Sequence, residues 1–110
     1  METERKHVQP LTEAGYGEVH HSTGVVVLDF WSPRCGPCHV FAPIFEAVTK
    51  ELGTKAYRVN ADGKVNVGLV GGLKIRSLPT VLVMKDGQEV ARTTGFMAKD
   101  KLKALITKWS

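Results

Sequence analysis

Two cysteines are the only thiols among the 110 residues, and both stand in one tetrapeptide, Cys35-Gly36-Pro37-Cys38. A loop that short gains little as a structural cross-link. The chemistry open to such a pair is thiol–disulfide exchange or metal ligation. For exchange, a thiolate must be the nucleophile. The residues after Cys35 read as a helix, so Cys35 falls at a helix N-terminus, where unpaired N–H groups and the helix dipole favour negative charge. Two intervening residues put the second sulfur one turn away, within reach of a disulfide. Gly36 permits the close approach, and Pro37 suits a first helical turn. The competing reading is half a zinc site. Zinc takes four ligands, a second CxxC is absent, and His20, His21 and His39 are the only nearby candidates by sequence.

Other residues could act on these sulfurs. Asp29 interrupts the apolar run Val25–Phe30, six residues before Cys35. A buried carboxylate is costly unless it is paired or neutralised. Asp29 therefore reads either as an exposed edge residue or as a buried acid of raised pKa beneath the dithiol, exchanging a proton with Cys38 through a water. Arg58, on the next predicted strand, reads as a partner for Asp29 or as a solvated cation. Trp31 is a core aromatic or a flat wall beside the sulfurs. His39 reads as a partly exposed helix residue. Leu78-Pro79-Thr80 starts a strand with a proline that is either trans or cis. Gly95-Phe96 ends the last strand and offers an apolar rim.

The elements that must position these groups follow from periodicity. Val8–Leu11, with Pro10 inside it, suits a short edge strand. Thr12 is placed to cap a helix to about His21, weakened by Gly15 and Gly17. Val25–Phe30 is a central strand covered on both faces. Phe41, Ile44, Phe45, Val48 and Leu52 recur at helical spacing over 36–52, with Gly53 as the stop and Pro43 as an expected kink. Ala56–Asn60 is a second buried strand, and Asp62–Gly72 a short, irregular helix. Thr80–Met84 and Glu89–Thr94 form a hairpin about Asp86-Gly87, a type I′ signal. Leu102, Leu105, Ile106 and Trp109 stripe a terminal helix. The order β-α-β-α-β-α-β-β-α predicts a mixed central sheet with helices on both faces.

Composition agrees with one globular domain spanning 1–110, with 1–7 as a loose tail. Hydrophobic residues are 43% and charged residues 24%, which excludes disorder and coiled coil. No apolar run approaches the roughly 20 residues of a membrane span. Residues 1–7 do not read as a secretory signal. The net charge of +4 is scattered without a basic run, so a nucleic-acid partner is not expected. Cysteine usage suits a reducing, cytoplasmic setting. No P-loop or dinucleotide fingerprint is present, so no metal or organic cofactor is expected.

The run Asp29-Phe30-Trp31-Ser32-Pro33-Arg34-Cys35-Gly36-Pro37-Cys38, the helix with Pro43, Leu78-Pro79-Thr80, the Asp86-Gly87 turn and Gly95 resemble the thioredoxin family in order and spacing. The likeness spans about residue 8 to the end. It implies the thioredoxin fold, a cis Pro79 and protein disulfide reductase activity, with regeneration by a thioredoxin reductase. It implies Cys35 as nucleophile, Cys38 as resolving thiol and Asp29 as buried proton acceptor. It further implies a groove of Trp31, Gly36, Pro37, Leu78, Pro79 and Gly95, in a chain that acts as a monomer.

Three positions depart from the family pattern. Arg34 stands where a second tryptophan is usual, which swaps an apolar contact for a cation able to lower the Cys35 pKa and alter partner choice. Arg58 replaces the frequent lysine, keeps its charge always, and is expected to hold Asp29 more acidic than usual. Gly63–Ser77 is about two residues longer and borders Pro79. Two other functions compete with the reductase: a redox-poor assembly module on the same fold, and a disulfide oxidase or isomerase.

Overall fold

Alternation along one strand sets the architecture. In the computed structural model, which describes residues 6–110, the chain runs β1 (Gln9–Pro10), a 3-10 turn (Glu13–Gly15), α1 (Tyr16–His20), β2 (Val25–Trp31) and α2 (Gly36–Leu52). It continues through β3 (Lys55–Asn60), a second 3-10 turn (Lys64–Asn66), α3 (Val67–Gly72), β4 (Thr80–Lys85), β5 (Gln88–Thr94) and α4 (Lys99–Trp109). The strands form one sheet in the order β1-β3-β2-β4-β5. β3 runs parallel to both β1 and β2, whereas β4 is antiparallel to β2 and β5. This is the mixed α/β sheet that the element order predicts.

Successive side chains of a strand point to opposite faces. Val27 joins Phe41, Phe45, Val48, Val81, Leu102 and Ile106 in the core under α2 and α4. Val26, Leu28 and Phe30 join Val19, Val59, Leu69, Leu82 and Met84 in the core toward α1 and α3. Both faces of β2 are therefore covered, which is why its sequence reads as a continuous apolar run. Asp29 shares the face of Val27 and points toward α2.

Several boundaries differ from expectation. β1 is two residues, not four. The helix expected from Thr12 splits into a 3-10 turn and the five-residue α1, and Thr12 gives no side-chain cap. Gly15 and Gly17 weaken continuous helix here. The Glu13 N–H donates instead to Asn66 Oδ1 at 2.9 Å. Of the segment read as a loose tail, residues 1–5 lie outside the described residues. His7 is tied down: its N–H donates to Glu46 Oε2 at 2.7 Å, and its Nε2 lies 2.6 Å from the Thr54 carbonyl oxygen.

α2 runs from Gly36 to Leu52 with Pro43 inside it, and Gly53 ends it at φ 66°. In the hairpin, Asp86 and Gly87 have φ of 52° and 82°, as a type I′ turn requires. The turn is latched to the chain before β2: the Asp86 N–H donates to the Gly24 carbonyl at 3.0 Å, and the Gly24 N–H to Asp86 Oδ1 at 2.7 Å. Gly87 is buried, and a Cβ there would collide with the carbonyl at His20, the end of α1.

Candidate active site

The register of the sheet gathers the chemistry at one end. Trp31 closes β2, and α2 begins five residues later. Phe30 pairs with Thr80 across β2 and β4, and Thr80 pairs with Thr94 across β4 and β5. Pro79 and Gly95 therefore follow at the end of the sheet where Trp31 leads into Cys35. The Leu78–Pro79 peptide is cis. The Gly95 N–H, at φ 86°, donates to the Pro79 carbonyl at 2.8 Å.

Cys35 is the N-cap of α2 and is disulfide-bonded to Cys38, with Cα atoms 5.2 Å apart. The Cys38 N–H points at Cys35 Sγ over 3.2 Å. A donor of the first helical turn, otherwise unpaired, is thus aimed at the Cys35 sulfur. The two sulfurs differ in access: Cys35 is half-buried, while Cys38 is 0% exposed. Gly36 and Pro37 are exposed between them, and Arg34 is exposed just before. Among the described residues no carboxylate lies within ion-pair distance of Arg34.

Asp29 is 0% exposed, which excludes the edge reading. Its Cα is in register with that of Arg58, and Arg58 Nε donates to Asp29 Oδ2 at 3.3 Å. Asp29 Oδ1 and Arg58 Nη2 are buried without a partner. Burial pushes the carboxyl up from 3.8 to about 6, against the opposing pull of the Arg58 charge and hydrogen bond. The expected acidifying effect of Arg58 is present, and desolvation outweighs it.

Trp31 is partly buried, and the Arg58 guanidinium carbon lies 4.1 Å from its ring centroid. Trp31 also meets His39 edge-on, at 6.1 Å between centroids, and His39 Nε2 lies 2.8 Å from the Pro33 carbonyl oxygen. The contacts thus run from the buried acid through Arg58 and Trp31 to the segment carrying Cys35. Sequence reasoning missed the Arg58–Trp31 stack. The signal was present in the strand period, because Trp31 lies two residues beyond Asp29 and shares its face.

Leu78 is partly buried against the core toward α3, and Pro79 is buried. Phe96 is 52% exposed, with its ring edge-on to Phe41 of α2 at 6.3 Å. Trp31, Pro79, Gly95 and Phe96 thus lie at the α2 end of the sheet. Among the described residues, no three His, Cys, Asp or Glu side chains cluster as metal ligands. Among the same residues, no helix is long and apolar enough to cross a membrane.

Comparison with known proteins places this arrangement. A family model described as Thioredoxin matches residues 7–108. A thioredoxin of Bacillus subtilis is 42% identical over 87 residues, 79% of this chain and 84% of that protein. A thioredoxin of Mycoplasma pneumoniae is 37% identical over 97% of this chain and 99% of its own length. Among solved structures, the Malassezia sympodialis thioredoxin superposes with a TM-score of 0.82 at 31% identity, covering 99% of this chain and 96% of that one. A single-substitution mutant of a Halobacterium salinarum thioredoxin gives 0.83 at 25% identity, over 93% and 88%.

Proposed function

The chain belongs to the thioredoxin family, and from that premise we propose how its side chains divide the work. It is a thiol–disulfide oxidoreductase, a protein disulfide reductase of the thioredoxin type. The observation that carries the assignment of roles is the unequal access of two bonded sulfurs at the mouth of α2.

In the reduced protein Cys35 is the nucleophile. It is the sulfur a substrate can reach, and the N–H of the first turn stabilises its thiolate. Cys35 attacks one sulfur of a substrate disulfide. That bond breaks, a mixed disulfide forms, and the departing substrate sulfur takes a proton. Cys38 then loses its proton and attacks Cys35 Sγ. The mixed disulfide breaks, the second substrate thiol leaves, and the Cys35–Cys38 bond remains. Two electrons have passed from the dithiol to the substrate.

Asp29 is the acceptor of the Cys38 proton. Its face of the sheet and its pKa of about 6 support that role, since above this value the carboxylate is free to take a proton. Trp31, Gly36, Pro37, Leu78, Pro79 and Gly95 form the substrate face, and the backbone of Leu78 pairs with the target chain. Arg34 adds a cation one residue before the nucleophile and biases partner choice. The reaction needs no cofactor beyond the disulfide. A thioredoxin reductase returns the electrons, and the protein works as a single-domain monomer in the cytoplasm.

The test is insulin disulfide reduction with a chemical reductant. Cys35→Ser lowers the rate by about three orders of magnitude or more, to background, because the one remaining thiol, Cys38, is buried. Activity kept in that variant would remove Cys35 as the nucleophile, and a wild type no faster than the variant would favour the assembly-module reading.

A further inference from the structure

α3 is a weak helix by composition. Gly68, Gly71 and Gly72 make up half of it, and glycine is a poor helix former beside alanine. Its end is built as a Schellman motif: the Ile75 N–H donates to the Val70 carbonyl at 3.0 Å and the Lys74 N–H to the Gly71 carbonyl at 3.1 Å. The residue in the left-handed position, where glycine is usual, is Lys74 at φ 58°. The motif leaves the Leu73 and Lys74 carbonyls unused.

Arg92 of β5 takes both. Its Nη2 donates to the Leu73 carbonyl at 2.7 Å and its Nη1 to the Lys74 carbonyl at 3.2 Å. Glu89 holds the same guanidinium from behind, accepting from Nε at 2.7 Å and from Nη2 at 2.8 Å. In a regular strand, residues three apart face opposite ways. Here Val83 pairs with Ala91 and Met84 with Glu89, so Val90 is an extra, bulged residue. The bulge restores Glu89 to the face of Arg92, opposite Met84 and Leu82, on the α3 side.

From the captured carbonyls the chain runs Ile75-Arg76-Ser77 into the cis Leu78–Pro79 turn. We propose that Arg92, oriented by Glu89 across the β5 bulge, is a positioning residue that fixes how the substrate-facing Leu78–Pro79 turn leaves α3. This rests on the reading of that turn as part of the substrate face. The planar guanidinium makes four hydrogen bonds at once in fixed directions, whereas a lysine has three donors on a single freely rotating nitrogen.

The experiment compares Arg92→Gln and Arg92→Lys with wild type on two substrates, insulin and the small disulfide of thionitrobenzoate, alongside amide exchange. Arg92→Gln raises the KM for insulin about three- to tenfold, with kcat and the rate on the small disulfide within about twofold. Exchange at positions 74 and 75, whose N–H groups close the end of α3, accelerates while that of Leu28 and Phe30 does not. Arg92→Lys recovers only part of the loss. Adding Lys74→Gly to Arg92→Gln restores slow exchange, since glycine suits the left-handed position unaided. An unchanged KM with unchanged exchange overturns the proposal, and so does an equal loss on both substrates. Failure of wild type to reduce insulin would instead overturn the reductase reading.

Discussion

The two faces of the sheet are held by different means. Under α2 and α4 the helices are long, Phe41, Phe45, Val48, Leu102 and Ile106 are completely buried, and packing fixes the geometry. Toward α1 and α3 the helices have five and six residues, glycines are frequent, and polar side chains reach across as pins. Glu13 Oε1 accepts the Leu69 N–H at 2.8 Å, Asn66 Nδ2 donates to the Asn60 carbonyl at 2.9 Å, and Arg92 closes the far end. The cysteines and the buried acid stand on the packed side, whereas the Leu78–Pro79 turn is reached through the pinned side. Bond exchange needs sulfurs held in one place, and packing supplies that. Different target chains need a contact surface that small changes can retune, and separate polar pins allow it.

Removing a buried aromatic breaks the comparison most. Phe45→Ala lowers stability by about 3–5 kcal/mol in denaturant unfolding. A cost below that of a single lost hydrogen bond would show that packing is not what secures α2.

The buried acid comes next, and its sign is opposite. The folded protein keeps the Asp29 proton up to about pH 6, while the unfolded chain releases it near 3.8. Stability is therefore full below pH 3.8, falls as pH rises toward 6 and stays lower above, by about 3 kcal/mol. Asp29→Asn lacks that fall, so it is more stable than wild type at pH 7 and no more stable near pH 4. The same variant loses its proton acceptor and reduces insulin more slowly at neutral pH. Parallel pH–stability curves for the two proteins would refute this assignment.

A pin is worth less. Glu13→Ala costs roughly 1–2 kcal/mol, the loss of one buried backbone N–H partner. Its effect on amide exchange is confined to α3 and the turns beside it. Gly68 shows how close this pin sits, because a Cβ there would lie 2.8 Å from Glu13 Oε2. Global unfolding on the scale of Phe45→Ala would erase the distinction between the faces. The smallest effect is expected from Arg34→Trp. Stability stays within about 0.5 kcal/mol, as at other surface positions, while rates with different protein partners change more than the rate on a small disulfide. Equal changes on all substrates would remove Arg34 from partner choice.

The packed face was legible in the sequence because its signals are periodic. Phe41, Ile44, Phe45 and Val48 declare a helix, and Asp29 stands out because a carboxylate breaks an apolar strand. Strand adjacency offers Arg58 as its partner but leaves a solvated cation equally open. The pinned face was less legible, because its determinants are single long-range contacts without a period. Thr12 reads as a cap, yet Asn66, far along the chain, takes the Glu13 N–H. Glu89 and Arg92 read as residues on opposite sides of a strand, and only the bulged Val90 brings them together. Lys74 carries no mark of a left-handed residue, since most chains place glycine or asparagine there.

A two-residue hairpin is the spot an engineer would choose for splicing in an epitope or an affinity handle, since loop tips usually accept extra residues. The Asp86-Gly87 tip is a poor choice. It is wedged beneath the last carbonyl of α1 and latched to Gly24. Lengthening it would prise that helix off the sheet, so this outward-looking bend is better regarded as a keystone than as a free end.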